Sequence, residues 1–279
     1  MTRTSRRAAA LGLLAALCTL GGAASASAAR ATGPVRLAAA FDRAARLGDP
    51  TALAVTLRLD PRRLTLAPLT EVRLAYPEAL GLVSSGLGLA ACTRPASDFA
   101  QVLVEGPLLG GCPPNAVMGY GEARAIVRMA QTAQAIPEYA TVALLAGPIA
   151  QGKLGLVVYV EGQRPFGGQL AFAGDVSDAA PPYGGVLTVR MPVIPGIQDV
   201  ATVSLVQLRL VIGSHAIRYY RRQHGRRVAY RPDGIELPER CPRGGFRFHA
   251  EVRFADGSRR STGSVTRCPR AVAPPAGGR

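Results

Sequence analysis

The segment from Arg240 to Pro269 constrains the fold of this chain more than any other. Apolar residues occupy every second position of its first half, at Phe246, Phe248, Ala250, Val252 and Phe254. Polar residues stand between them, and this alternation is typical of a β-strand with one face in a core and the other in water. Cys241 and Cys268 mark the two ends of the segment.

A tight turn is expected directly after this strand. Asp256-Gly257 favours the two positive φ angles of a two-residue type I′ turn. Such a turn would place Phe248 opposite Val265 in a hairpin. It would also place Ala250 opposite Gly263, so that both strands point small or apolar side chains inward.

The amino terminus has the features of a secretory signal peptide, assigned to residues 1–28. Three arginines precede a short apolar run, Ala8–Leu20, and small residues follow it up to Ala28. Because the run is too short to cross a bilayer, the mature protein is expected to be secreted, extracellular and without a transmembrane segment. Cys18 follows Leu17 rather than the Gly or Ala of lipoprotein sites, which argues against lipidation.

Four cysteines remain after the leader, and an even number in an exported chain indicates disulfides. They are Cys92, Cys112, Cys241 and Cys268. Three pairings are open. The local pairing, Cys92–Cys112 with Cys241–Cys268, is preferred because it closes two loops of similar size. Each loop contributes about 3 kcal/mol to stability through chain entropy. No CxxC spacing occurs and no histidine stands at a zinc-like distance, so no metal site is expected.

The chain is strongly basic, with a net charge of +15 that falls to +12 once the leader's three arginines are removed. A basic excess of this size favours acidic partners, here anionic cell-envelope polymers or lipid headgroups, with no specific nucleic acid expected. The alternative is a compositional bias, because Ala, Arg, Gly and Pro are all abundant and Lys is nearly absent.

Short segments of alternating polarity, separated by Gly and Pro, recur between residues 49 and 269 and predict an all-β fold. The expected strands are Thr51–Asp60, Leu64–Leu66, Glu71–Tyr76, Met118–Met129, Glu138–Leu145, Lys153–Glu161, Gly168–Ala173, Val186–Met191, Thr202–Ile212, Ala216–Arg222 and Arg226–Tyr230. This spacing is typical of an antiparallel β-sandwich, as one domain or two packed lobes. Residues 29–48 are a lead-in, helical or extended over Val35–Leu47, and residues 270–279 a disordered tail.

The least regular part of the chain is the glycine-rich stretch Pro77–Pro114. It contains the one predicted short helix, Asp98–Glu105, with Ser97 or Asp98 as its N-cap. A bond between Cys92 and Cys112 would close this loop. A loop of this length in a compact domain is usually functional or stapled, and the disulfide is a sufficient account.

Two segments carry a resemblance to a known group of proteins. The first runs from Tyr76-Pro77-Glu78-Ala79-Leu80 through Ala91-Cys92 to Gly111–Gly119, and the second is the hairpin from Cys241-Pro242 to Cys268-Pro269. Together they resemble uncharacterised secreted proteins of high-GC Gram-positive bacteria, which share a Pro-Xaa-Gly-Leu-like turn, a Cys, a later Cys-Pro and a strand of small residues. This chain has Glu78-Ala79-Leu80 where those proteins often have Gly-Leu. The resemblance implies an exported all-β domain with two cysteine loops and supplies no active site.

Signatures of catalysis are missing from the sequence, which contains no GxSxG, HExxH, phosphate-loop or acidic calcium-loop motif. Gly86–Ala91 echoes a dinucleotide-binding turn but lacks a strand–helix frame. None of the histidines, His215, His224 and His249, neighbours a carboxylate. Two carboxylate pairs, Asp175 with Asp178 and Glu236 with Glu239, are interpreted as loop charges rather than glycosidase acids. No catalytic residue and no cofactor are therefore assigned.

One cluster is a candidate binding site. Arginine and tyrosine are interleaved at Arg218, Tyr219, Tyr220, Arg221, Arg222, Arg226 and Arg227, with Tyr230 and Arg231 just beyond. If the chain turns at His224-Gly225, the hairpin concentrates cations and aromatic rings that can bind phosphate or uronate groups, or stack on a sugar or base. The alternative is a solvated edge hairpin whose charges prevent sheet-to-sheet association.

The sequence thus favours a secreted, non-catalytic surface or binding protein that contacts anionic envelope polymers through the basic hairpin. Two other hypotheses stay open. One is a secreted hydrolase with an active site assembled from dispersed residues, with His215 or His224 beside a carboxylate and a hydroxyl. The other is a structural spacer with neither a cleft nor a ligand.

Overall fold

The expected all-β fold is confirmed. The computed structural model describes residues 33–64, 67–93, 108–132, 134–191, 200–213 and 217–269. The strands in this part are β1 (Val35–Phe41), β2 (Pro50–Thr51), β3 (Leu53–Leu59), β4 (Leu69–Pro77), β5 (Gly81–Leu82), β6 (Val117–Met129), β7 (Ala135–Ala150), β8 (Lys153–Arg164), β9 (Gly168–Asp178), β10 (Tyr183–Arg190), β11 (Ala201–Ile212), β12 (Tyr219–Gln223), β13 (Arg226–Tyr230), β14 (Ile235–Glu236), β15 (Phe246–Phe254) and β16 (Arg259–Thr266). Short 3-10 turns occupy Ser84–Gly86, Leu108–Gly111 and Pro114–Ala116.

One large antiparallel sheet of eleven strands forms the body of the molecule. Its strand order is β1-β3-β11-β6-β7-β8-β9-β10-β4-β15-β16. Two small sheets accompany it, β12 with β13 and β2-β14-β5. Within the described chain, no helix is both long and apolar enough to cross a membrane.

The inner face of the large sheet holds one continuous hydrophobic core. Strand β3 shows why, because every second residue is a buried Leu or Val and the residues between them are partly buried or exposed. Strand β15 repeats the pattern predicted from its sequence, with Phe246, Phe248 and Val252 no more than 1% exposed. Strands from both halves of the sheet contribute to this single core, as in a sandwich. The described residues from 33 to 269 accordingly form one compact unit.

The two edge strands of the sheet, β1 and β16, meet at a seam. The hydroxyl of Thr266 donates a hydrogen bond to the carbonyl oxygen of Ala39 at 2.6 Å, and the rings of Phe41 and Phe246 pack edge-to-face at 4.8 Å between centroids. No backbone ladder joins β1 to β16 in the part of the chain that the structure covers. Eleven strands with antiparallel neighbours leave these two edges running in the same direction, and the side chains of Thr266, Phe41 and Phe246 make the contacts across the seam.

The closing hairpin forms, but the register predicted for it is wrong by one residue. Phe248 lies opposite Ser264 and Ala250 opposite Thr262, rather than opposite Val265 and Gly263. The side chain of Val265 is consequently 56% exposed.

The cause of the shift is the turn. The Gly257 amide donates to the Phe254 carbonyl oxygen, and the Phe254 amide to the Ser258 carbonyl oxygen, both at 3.0 Å. Gly257 has a φ of +80°, whereas Asp256 has a negative φ. The loop is therefore a three-residue turn with a glycine bulge, which moves every pair by one position.

The lead-in expected over residues 29–48 belongs partly to the sheet. Val35–Phe41 forms β1 and pairs with β3 along its whole length. Its Ala-rich sequence suggested one or two helical turns, but Val35 and Leu37 alternate with exposed residues and are buried in the core. Packing against β3 therefore overrides local helical propensity.

Both local disulfides are present, Cys92–Cys112 and Cys241–Cys268. Cys92 and Cys112 pack against Leu145, Val157 and Tyr159 in a second, smaller core on the outer face of β7 and β8. The disulfide thus holds the ends of the glycine-rich loop against the sheet. The predicted helix Asp98–Glu105 within that loop, the signal peptide 1–28 and the tail 270–279 lie outside the described residues.

Candidate anion-binding hairpin

Strands β12 and β13 form the predicted hairpin, and its turn is at His224-Gly225. Gln223 pairs with Arg226 directly beside the turn. His224 has a φ of +49° and Gly225 of +76°, so both central residues adopt the positive φ of a two-residue type I′ turn. The prediction of this turn is confirmed.

The hairpin is a two-stranded sheet of its own, and its arginines point into solvent. All six are exposed, namely Arg218, Arg221, Arg222, Arg226, Arg227 and Arg231. No acidic residue occurs between residues 218 and 231. Among the described residues, no carboxylate lies within ion-pair distance of any of the six. The hairpin therefore concentrates uncompensated positive charge.

Tyr219 is the anchor of the hairpin rather than part of its binding surface. Its side chain is only 2% exposed, and its hydroxyl donates a 2.6 Å hydrogen bond to the carbonyl oxygen of Val117 at the start of β6. Its proposed place among the anion-binding residues needs correction, because a buried ring cannot reach a ligand. Periodicity alone did not identify this role, since Val117 is 102 residues away in sequence.

Two arginines of the hairpin stack on tyrosine rings. The guanidinium carbon of Arg227 lies 3.8 Å from the centroid of the Tyr220 ring, and that of Arg221 lies 4.6 Å from the centroid of Tyr230. Each pair is diagonal across the two strands, where side chains of one face meet. Stacking holds the guanidinium over the face of the ring while its N–H donors stay available to a ligand.

Three arginines on the large sheet have carboxylate partners. Arg209 lies opposite Glu122 and binds it at 3.1 Å. Arg190 binds Asp175 at 2.8 Å, and Arg253 lies 3.3 Å from a carboxylate oxygen of its opposite residue Glu71. Carboxylates on neighbouring strands thus compensate these cations, and the hairpin has no such arrangement.

The carboxylate pairs interpreted as loop charges also need correction. Asp175 and Asp178 both belong to β9, and Asp175 is in an ion pair with Arg190. Glu236 belongs to β14, while Glu239 is exposed in the loop that follows. The ion pair gives Asp175 a structural role within the outer face of the sheet.

The histidines do not assemble a catalytic group in the described part of the chain. His224 is exposed at the hairpin turn, and His215 lies outside the described residues. His249 is on the polar side of β15, with its ring 6.2 Å from that of Tyr183. No group of three His, Cys, Asp or Glu side chains with metal-binding geometry occurs among the residues described.

Two clefts are lined by residues outside the hairpin. The larger, about 810 Å³, is lined by Ile136, Pro137, Tyr139, Gln163, Arg164 and Pro165. The turn beside it is held by Glu138, whose carboxylate accepts a 3.0 Å hydrogen bond from the Phe166 amide. The smaller, about 150 Å³, is lined by Asp42, Ala44, Ala45, Asp49, Pro50 and Thr51. No histidine occurs among the described lining residues of either cleft.

Replacing Tyr219 with Phe should change how stability depends on alkaline pH. Burial raises the pKa of the Tyr219 hydroxyl above its usual value of about 10. The folded state therefore keeps this proton at a pH where the unfolded state has lost it, and stability falls as pH rises above about 10. In urea unfolding from pH 8 to 11, Tyr219→Phe should flatten that fall. It should also cost about 1 kcal/mol at pH 8 through the lost hydrogen bond. An unchanged alkaline slope would contradict this.

No protein-family model, curated protein or solved structure matches this chain.

Proposed function

We propose that this protein is an exported, non-catalytic binding protein that holds an anionic polymer of the cell envelope through the β12–β13 hairpin. The observation that carries the proposal is the set of six exposed arginines without a carboxylate partner, two of them stacked on tyrosine. The two disulfides support export, because such bonds persist in oxidising compartments.

A polymer suits this surface better than a small ligand. The cations lie on both faces of a narrow ribbon and not within a cleft, so a single small anion could contact only a few of them. Each five-residue strand extends about 16 Å, which is enough for several charges of a polyanion to bind at once. Several weak ion pairs then combine into one salt-dependent interaction.

The test is retention on an immobilised polyanion, such as poly(glycerol phosphate), at increasing salt concentration. A variant with the six hairpin arginines changed to Gln should elute at a clearly lower salt concentration than the wild type. The control changes six exposed arginines elsewhere: Arg36, Arg43, Arg46, Arg58, Arg259 and Arg260. Both variants lose the same charge, so only a site-specific interaction separates them. Equal loss of retention in both would show a general charge effect and end the proposal.

A further inference from the structure

Two arginines of the hairpin lie directly opposite each other. Arg222 pairs with Arg227 across the strands, one position from the turn. The pair beside a two-residue turn is hydrogen-bonded, so the next pair is the non-hydrogen-bonded kind, with Cβ atoms about 4.5–5.5 Å apart. Like charges at this position are destabilising. On the large sheet Arg209 lies opposite Glu122 and binds it, whereas Arg36 lies opposite Arg58.

The face that carries this pair is open and partly preorganised. Tyr220, Arg222, Arg227 and Ala229 share it, because side chains alternate along each strand. Arg227 is held over the Tyr220 ring, while the small side chain of Ala229, opposite Tyr220, leaves that face uncovered. The two guanidiniums therefore border a space into which a ligand group can enter from solvent.

We propose that Arg222 and Arg227 together bind a phosphoryl group of the polymer, so that the ligand is a phosphate-containing polymer rather than a carboxylate-containing one. This inference rests on the proposed function and specifies its ligand. A carboxylate directs its lone pairs within one plane, so two guanidiniums can both bind it well only if they lie in that plane. The oxygens of a phosphate ester are arranged tetrahedrally and accept from donors that lie in different planes. A phosphoryl group can therefore accept from both arginines and offset their repulsion.

The opposite face of the hairpin lacks this arrangement. Arg221 lies opposite Val228 there and stacks on Tyr230, so its nearest cross-strand neighbour is apolar. That face can attract further charges of the polymer, but within the hairpin only Arg222 and Arg227 lie directly opposite each other as two cations. Selectivity for phosphate should therefore depend on this pair.

The test compares elution of the wild-type protein from poly(glycerol phosphate) by inorganic phosphate and by acetate at equal ionic strength and pH. Phosphate should elute it at a concentration on the order of tenfold lower than acetate. Arg222→Lys with Arg227→Lys keeps the charge but removes the planar donor fork, so this preference should disappear. The control is Arg36→Lys with Arg58→Lys, an opposed pair on β1 and β3 that should keep the preference.

The possible results separate the two proposals. Retention that is equally sensitive to phosphate and acetate, or equal on poly(glycerol phosphate) and polygalacturonate, would overturn the phosphoryl site and leave polyanion binding intact. No retention on either polymer would overturn the proposed function itself. Binding to phosphatidylglycerol vesicles without binding to the polymer would overturn the polymer as ligand, because the phosphate would then be that of a lipid.

Discussion

Replacing Phe248 with Ala should lower the free energy of unfolding by about 3–5 kcal/mol. Phe248 is 1% exposed in the middle of β15, and its ring lies 6.5 Å from that of Phe41 across the seam. Truncation removes buried apolar surface and leaves a cavity that the surrounding strands can fill only in part. Urea unfolding at neutral pH measures the loss. A cost below about 1 kcal/mol would mean that this side chain is not in the core.

The same experiment can test the register of the closing hairpin. Val265→Ala is the matched control, because Val265 is 56% exposed and lies opposite Arg247. It should change stability by less than about 0.5 kcal/mol. In a double-mutant cycle with Phe248→Ala, the coupling energy should be near zero. A coupling above about 1 kcal/mol would place the two side chains in contact and contradict the three-residue turn.

Removing the Cys92–Cys112 disulfide should have the second large effect. Opening its loop of 20 residues should lower the free energy of unfolding by about 3 kcal/mol through chain entropy alone. Changing both residues to Ala should cost more than that, because both sulfurs are buried against the outer face of β7 and β8. Thermal unfolding of this variant measures the sum.

The second disulfide is the matched comparison. Cys241–Cys268 spans 27 residues, so its entropic contribution is nearly the same, but Cys241 is exposed. Its double Ala variant should therefore be less destabilised than the first, and the difference measures the packing around Cys92 and Cys112. Equal losses from the two variants would show that the small outer core contributes nothing to stability.

The two hairpin turns show what could be read from the sequence and what could not. At His224-Gly225 the expected turn forms, and both of its residues adopt positive φ. At Asp256-Gly257 only the glycine adopts a positive φ, and the loop contains three residues rather than two. The dipeptides favour a turn in both places. The number of loop residues also depends on how β15 pairs with β4 on its other side, which is a long-range interaction.

The candidate site could be located from the sequence only in outline. The density of Arg and Tyr between residues 218 and 231 identified the hairpin. The sequence did not reveal that Tyr219 is buried, because its burial depends on contact with β6. It also did not reveal that Arg222 and Arg227 lie opposite each other, because this depends on the register of the two strands. The Val35–Phe41 strand was uncertain for the same reason, since its pairing with β3 decides its conformation.

The seam between β1 and β16 brings together the first and the last strand of the described chain. Thr266 and Ala39 are 227 residues apart in the chain, yet they are neighbours in the folded sheet. The free edge of β1 is covered only after β16 has been synthesised and has folded against it. Bringing the two strands together carries the entropic cost of closing a loop that spans nearly the entire domain. A nascent chain that lacks β16 therefore presents an uncovered strand edge of the kind that promotes association with other chains.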